Sequence, residues 1–154
     1  MVRLSDLPEA DGAHLRAKST PVVGEDCFVT APPLPQCRVG LITTAGLALR
    51  DDERFDLRDA SYRVIPGAVR ADELVMSHAS VNFDRTGYQL DLNTVFPIDR
   101  LHELADGGEL GSVADWHYAF MGAYHEPDAY LPAGREVGQR LREDGVDVAL
   151  LVPV

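Results

Sequence analysis

The densest run of chemically versatile side chains in this chain is Ser77-His78-Ala79-Ser80-Val81-Asn82-Phe83-Asp84. In extended backbone, alternate residues share a face, so His78, Ser80, Asn82 and Asp84 point the same way. An imidazole, a hydroxyl, an amide and a carboxylate converging just past an apolar run form the mixture a small-molecule pocket needs. Asp91 and Asn93 follow closely enough to join them. The plainer alternative is a turn rich in capping residues in which His78 is only hydrogen-bonded. A metal held by His78, Asp84 and Asp91 ranks last, because no HxH or HExxH spacing supports it, and no metal site is assigned.

A second constellation, Thr43-Thr44-Ala45-Gly46, closes the apolar run that starts at Arg38. Hydroxyls beside a permissive glycine at a strand end can hold a carboxylate or phosphate. Thr and Gly are also ordinary at such places, so a purely structural role weighs equally. The third is Trp116-His117-Tyr118 with Phe120-Met121-Gly122. Alternation would bury Trp116, Tyr118 and Phe120 together and send His117 and Met121 to the other face, which reads as core packing around one satisfied histidine. His14, His102 and His125 have no partner at useful spacing. There is neither a GxSxG elbow nor a GxGxxG fingerprint. The only lysine, Lys18, follows no glycine loop.

Positioning these groups requires strands that end near one another. Arg38–Ala45 reads as a central strand, Tyr62–Pro66 as a short one stopped by Pro66-Gly67, and Asp72–Ala79 as a second strand. Pro97 opens a helix with Ile98, Leu101, Leu104 and Ala105 on one face and Gly107-Gly108 as its stop. Val113–Met121 is a third strand, Pro132–Gly145 a second helix, and Val146–Val154 a buried parallel strand. Strand–helix–strand order implies right-handed crossovers. The fold class is therefore α/β, a mostly parallel open sheet with flanking helices, left incomplete at its carboxyl end. Residues 1–36, with five of the ten prolines, read as an extended N-terminal arm with one short helix near Ala13–Ala17. Residues 37–154 read as a single α/β domain.

At 154 residues with 45% hydrophobic and 25% charged residues, the chain can bury a real core. A net charge of −11 opposes binding to nucleic acid or to an anionic membrane surface, both of which need basic patches. No apolar run approaches the roughly 20 residues of a membrane span. Cys27 and Cys37 match neither a CxxC nor a zinc spacing. With no signal peptide, they suggest a reduced, cytoplasmic setting.

Four segments are distinctive together: CRVGLITTAGLALRDD (37–52), YRVIPG (62–67), SHASVNFDRTGYQLDLNTVFPIDRL (77–101) and GVDVALLVPV (145–154). They resemble the selenoprotein B family of glycine, sarcosine, betaine and D-proline reductases, closest to the short D-proline-reductase type. The resemblance implies a component of a multi-subunit enzyme that reductively cleaves the C–N bond of an amino acid or related amine. A selenocysteine or cysteine attacks the carbon bearing the amine, and a pyruvoyl group in a partner subunit activates that amine. In the family the nucleophile directly follows the strand equivalent to ALLVPV, so here it is expected beyond Val154, with a UGA codon read as stop as one explanation. The chain itself then carries no cofactor. Carried over by position, Thr43, Thr44, Ser80, Asn82, Asp84 and Asp91 are expected to line the substrate pocket. His78 is expected to give a proton to the leaving amine or to orient the substrate carboxylate. The expected partners are other reductase subunits and a small substrate, and the uncovered last strand invites self-association into a homo-oligomer. The competing reading is a non-catalytic small-molecule-binding or assembly subunit that lacks the redox centre.

Overall fold

The computed structural model describes residues 3–17, 24, 29–80, 83–123 and 127–154. Lys18, Cys27, Asn82 and His125 lie outside these.

The main sheet is built on β1 (Arg38–Thr43), a run whose alternate residues enter two different cores. Val39, Leu41 and Thr43 are buried on one face, where Val39 and Leu41 join Phe96, Ile98, Leu101 and Leu110. Ile42 packs on the other face with Tyr118, Phe120, Val137 and Leu141. Helix α3 (Ile98–Asp106) covers the first face and α4 (Leu131–Glu143) the second. Gly40 permits the close approach of α4, since a Cβ there would lie 2.8 Å from Leu141 Cδ2. A strand buried on both faces and flanked by helices is the α/β arrangement expected from its composition.

On one side of β1 lies β7 (Val148–Val152), parallel over Val39–Thr43. On the other lie β5 (Ser112–Val113) and β6 (Trp116–Phe120), both parallel to β1. Two extra residues, Ala114 and Asp115, separate these short strands, so the ladder is bulged. Beyond β6 runs β3 (Tyr62–Pro66), antiparallel to it over its whole length. The sheet is therefore largely parallel with one antiparallel edge, and helices flank it as expected.

Three local expectations are corrected. The strand expected at Asp72–Ala79 shrinks to β4 (Leu74–Met76) and stays outside the main sheet. It pairs antiparallel with β2 (Leu47–Leu49), a short apolar segment right after Gly46. Trp116 does not join Tyr118 and Phe120 but is 48% exposed, while the next four residues are all buried. The bulge breaks the alternation at Trp116, and β6 lies between two covered faces. The last strand is parallel but not buried: Leu151 is 65% exposed, because β7 pairs with β1 alone among the described residues.

The amino ends of the strands are clamped by Asp144, the residue that ends α4. Arg38 donates from Nη2 to Asp144 Oδ1 (2.6 Å) and from Nε to the Asp144 carbonyl (2.7 Å). Asp144 Oδ2 accepts from the backbone N–H groups of Asp115, in the bulge, and Trp116, the first residue of β6 (2.9 and 3.1 Å). Helix α1 (Glu9–Ala17) starts earlier than the short helix expected near Ala13. No helix among the described residues is long and apolar enough to cross a membrane.

Candidate functional site

The carboxyl ends of β1, β6, β7 and β4 meet around the Thr44–Gly46 turn. Thr44 N–H donates to the Val152 carbonyl of β7 (3.1 Å), and the Thr44 carbonyl accepts from Gly122 N–H just past β6 (2.9 Å). Gly46 N–H donates to the Phe120 carbonyl (2.8 Å), and the Gly46 carbonyl accepts from Ser77 N–H just past β4 (2.9 Å). Ser77 Oγ adds a second bond to that carbonyl (3.2 Å) and accepts from Phe55 N–H. Gly46 is in the left-handed region at φ 65°, and a Cβ there would lie 2.9 Å from both His78 Cα and His78 N. Only glycine serves this close approach without strain. The first two constellations of the sequence are thus one structure: the TTAG turn is the floor under His78.

His78 is buried, 5% exposed, with its ring 4.9 Å from that of Phe83. Its Nδ1 accepts from Ser80 N–H (3.2 Å), which places the proton of the neutral ring on Nε2. Nε2 is buried without a hydrogen-bond partner among the described residues. Burial, and secondarily the nearby Arg85 charge, lowers the His78 pKa below the usual histidine value, so the ring is neutral at pH 7. Arg85 Nη2 donates to the His78 carbonyl (2.6 Å) and the Ser80 carbonyl (3.4 Å), holding the loop.

The remaining expected site residues occupy definite structural posts. Thr43 Oγ1 is fully buried, donating to the Val95 carbonyl (2.8 Å) and accepting from Ala45 N–H (3.2 Å). Thr44 Oγ1 accepts from Val154 N–H (2.8 Å) and donates to the Val154 carbonyl (3.3 Å). Asp84 accepts from Thr86 N–H (2.9 Å) at the start of α2 (Thr86–Leu90), and that bonding holds its carboxyl below the usual carboxylate range. Asp91 does the same for Asn93, accepting from its backbone and side-chain nitrogens, and its pKa is likewise depressed. Asn93 in turn reaches Asp99 at the start of α3. Asn82 lies outside the described residues. His78 and Ser80 come together with the threonine turn, whereas Asp84 and Asp91 cap the following helical turns. Arg85, Ser77 and Phe83 are the residues that sequence reasoning left out.

The histidine of the third constellation is not fully satisfied. His117 is buried at β6, and its Nδ1 accepts from Leu41 N–H of β1 (2.9 Å), replacing a ladder bond the bulge interrupts. Its Nε2 has no partner among the described residues, and burial pushes its pKa down to about 4. His102 is also engaged, with Nε2 2.9 Å from the Gly67 carbonyl. Among the described residues no cluster of His, Cys, Asp and Glu could hold a metal.

Residues 33–153 match the family model for glycine/sarcosine/betaine reductase selenoprotein B. The chain belongs to this selenoprotein B family. It is also 34% identical over 133 residues to the D-proline reductase subunit gamma of Acetoanaerobium sticklandii. That alignment covers 80% of this chain and 54% of the relative, so the chain spans about half the length of the curated relative it matches. No solved structure matches the chain. The matched span includes β1 with its TTAG turn, the SHAS loop after β4, and β7.

Proposed function

We propose that this chain is the substrate-side portion of a selenol- or thiol-dependent reductase component, cleaving a C–N bond of an amino acid or related amine. Membership of the selenoprotein B family carries this reading, and the convergence of strand ends on His78 gives it a location. In open α/β sheets, ligands sit just past the carboxyl ends of the strands. The thiol within the described residues does not fit the redox role. Cys37 is fully buried at the opposite end of β1, with Sγ directed at the Pro32 carbonyl (3.1 Å). The selenol or thiol that would bond to carbon, and the second thiol that would release it and complete the two-electron reduction, therefore come from another segment or subunit. A pyruvoyl-bearing partner and a cytoplasmic setting belong to the same proposal.

Within it, His78 is a positioning group for the substrate carboxylate. A neutral imidazole whose Nδ1 is occupied by Ser80 N–H has an Nε2–H to donate and little power as a proton donor to an amine. Arg85 brings a positive charge beside the same loop of a chain whose net charge is −11. Ser80 flanks the substrate, and the family resemblance alone assigns Asn82 to substrate binding. Thr43, Thr44, Asp84 and Asp91 hold the turn and loop in place.

The test is to assemble the chain with the reductase subunits of its source, supply a dithiol, and follow the ring-opened amino acid from D-proline and ammonia from glycine by NMR. Turnover that requires this chain is expected. His78→Gln should raise KM about tenfold or more with a smaller change in kcat, as expected for a lost ground-state hydrogen bond to a charged group of about 1.5–3 kcal/mol. Turnover that is the same with the chain left out would reject the catalytic reading in favour of an assembly subunit.

A further inference from the structure

Helix α4 carries two glycines, Gly134 and Gly138, and glycine in a helix interior costs about 1 kcal/mol relative to alanine. A Cβ at either would meet nothing within 4 Å. The two differ in what they face. Gly134, with Thr44, Phe120, Gly122 and Tyr130, walls a cavity of about 270 Å³. Gly122 is glycine for a packing reason, because a Cβ there would lie 2.8 Å from Thr44 Cβ and Oγ1. Among the described residues no such neighbour constrains Gly134, so its missing side chain leaves the cavity open there.

The walls offer hydrocarbon. The Thr44 hydroxyl is taken up by the Val154 backbone, and the Tyr130 hydroxyl donates to the Met121 carbonyl (2.7 Å). The rings of Phe120 and Tyr130 meet edge to face with centroids 6.0 Å apart. Among the described residues, walls of this kind favour hydrocarbon over a charged or strongly hydrogen-bonding group, whose desolvation without a partner is costly. Its volume lies just under the low end, about 300 Å³, of cavities that hold drug-sized ligands. That leaves room for a small ring or a short branched chain. The cavity opens beside Thr44 and Gly122, at the carboxyl ends of β1 and β6, where the reductase reading places its substrate.

We propose that this cavity takes the hydrocarbon portion of the substrate, a small ring or a short branched chain, and that Gly134 is the residue that sets its depth. The inference rests on the reductase reading for the identity of the substrate, while the binding of hydrocarbon is a property of the cavity itself. A substrate of this kind would keep its carboxylate outside the cavity.

The experiment titrates the isotope-labelled full chain with cyclopentanecarboxylate and, as a chain without a ring, acetate. Cyclopentanecarboxylate should shift the Gly122 and Gly134 amides and the Phe120 and Tyr130 ring signals, and acetate should not. Gly134→Val should weaken binding of the ring probe at least tenfold and Gly134→Ala a few-fold. Gly138→Val, which carries the same change in the same helix away from the cavity, should stay within twofold of native and control for altered helix stability. Unmoved cavity signals, or native binding by Gly134→Val, overturn the proposal. Cavity signals that move on adding partner subunits and not on adding the probe also overturn it, in favour of a docked subunit. If the assembled enzyme needs this chain for turnover but Gly134→Val keeps its kcat/KM for D-proline relative to glycine, the reductase reading stands and the proposal falls. If the ring probe binds as expected while turnover is independent of the chain, the cavity stands and the reductase reading falls.

Discussion

At the scale of single residues, the chain relies on two buried histidines kept neutral for different purposes. His78 has one nitrogen occupied by Ser80 N–H and the other without a hydrogen-bond partner among the described residues. His117 replaces a backbone carbonyl, accepting from Leu41 N–H where β6 is bulged. The depressed pKa of about 4 at His117 has a definite consequence for stability. In the unfolded chain this histidine protonates below about pH 6.5, while in the folded chain it resists until about pH 4. Between those values the unfolded state binds more protons, so stability is complete above about 6.5 and falls as the pH drops toward 4. The full displacement corresponds to about 3 kcal/mol. His78, shifted in the same direction, adds to the same slope. Carboxylates held low by hydrogen bonds, such as Asp84 and Asp91, lose their contribution only at lower pH. Urea unfolding at pH 7 and pH 4.5 should therefore show a marked loss of stability at the lower pH. His117→Asn, whose amide oxygen can still accept from Leu41 N–H, should flatten the dependence. An unchanged slope in that variant would mean His117 is not its source. The sequence marked both histidines as notable. It ranked His117 as satisfied core, because a bulge that frees the Leu41 N–H depends on strand register and not on residue type.

At the scale of elements, strand ends do the positioning. The Thr44–Gly46 turn receives or donates backbone hydrogen bonds from β7, from the residue just past β6 and from the residue just past β4, so a change there is felt in three elements. Gly46→Ala is expected to cost about 2–4 kcal/mol, combining a positive φ with a Cβ pressed against His78. It should also displace His78 and lower turnover, whereas Ala48→Gly, in the neighbouring β2, should reduce stability without moving the histidine. Thermal melts together with His78 imidazole chemical shifts separate these outcomes. Of the elements, β1, β3, α3, α4 and β7 were legible to within a few residues, because each couples a clear apolar pattern to a proline or glycine stop. The β2–β4 pair was not. Three-residue strands carry too little period to register, and their pairing depends on the turn at Gly46 bringing residues 47 and 76 side by side.

At the scale of the whole molecule, the exposed edge of β7 is the feature most open to test. Leu150 and Leu151 are exposed on a strand bonded to β1 alone among the described residues, a template for further pairing. Sedimentation of the chain by itself should show association that grows with concentration, and Leu151→Lys should suppress it. A strictly monomeric native sample over a wide concentration range would contradict this. The sequence by itself determined the α/β class, the central strand, the two covering helices and, through its segments, the selenoprotein B family. Those follow from hydrophobic period and local turn chemistry, which act within a few residues. Only the tertiary structure decided that the TTAG turn lies under His78, that Asp84 and Asp91 cap helical turns, that Trp116 faces outward, and that an open cavity sits against Gly134. Each of these depends on where two segments distant in sequence come to rest, and that is fixed by packing across the sheet, which no local pattern encodes.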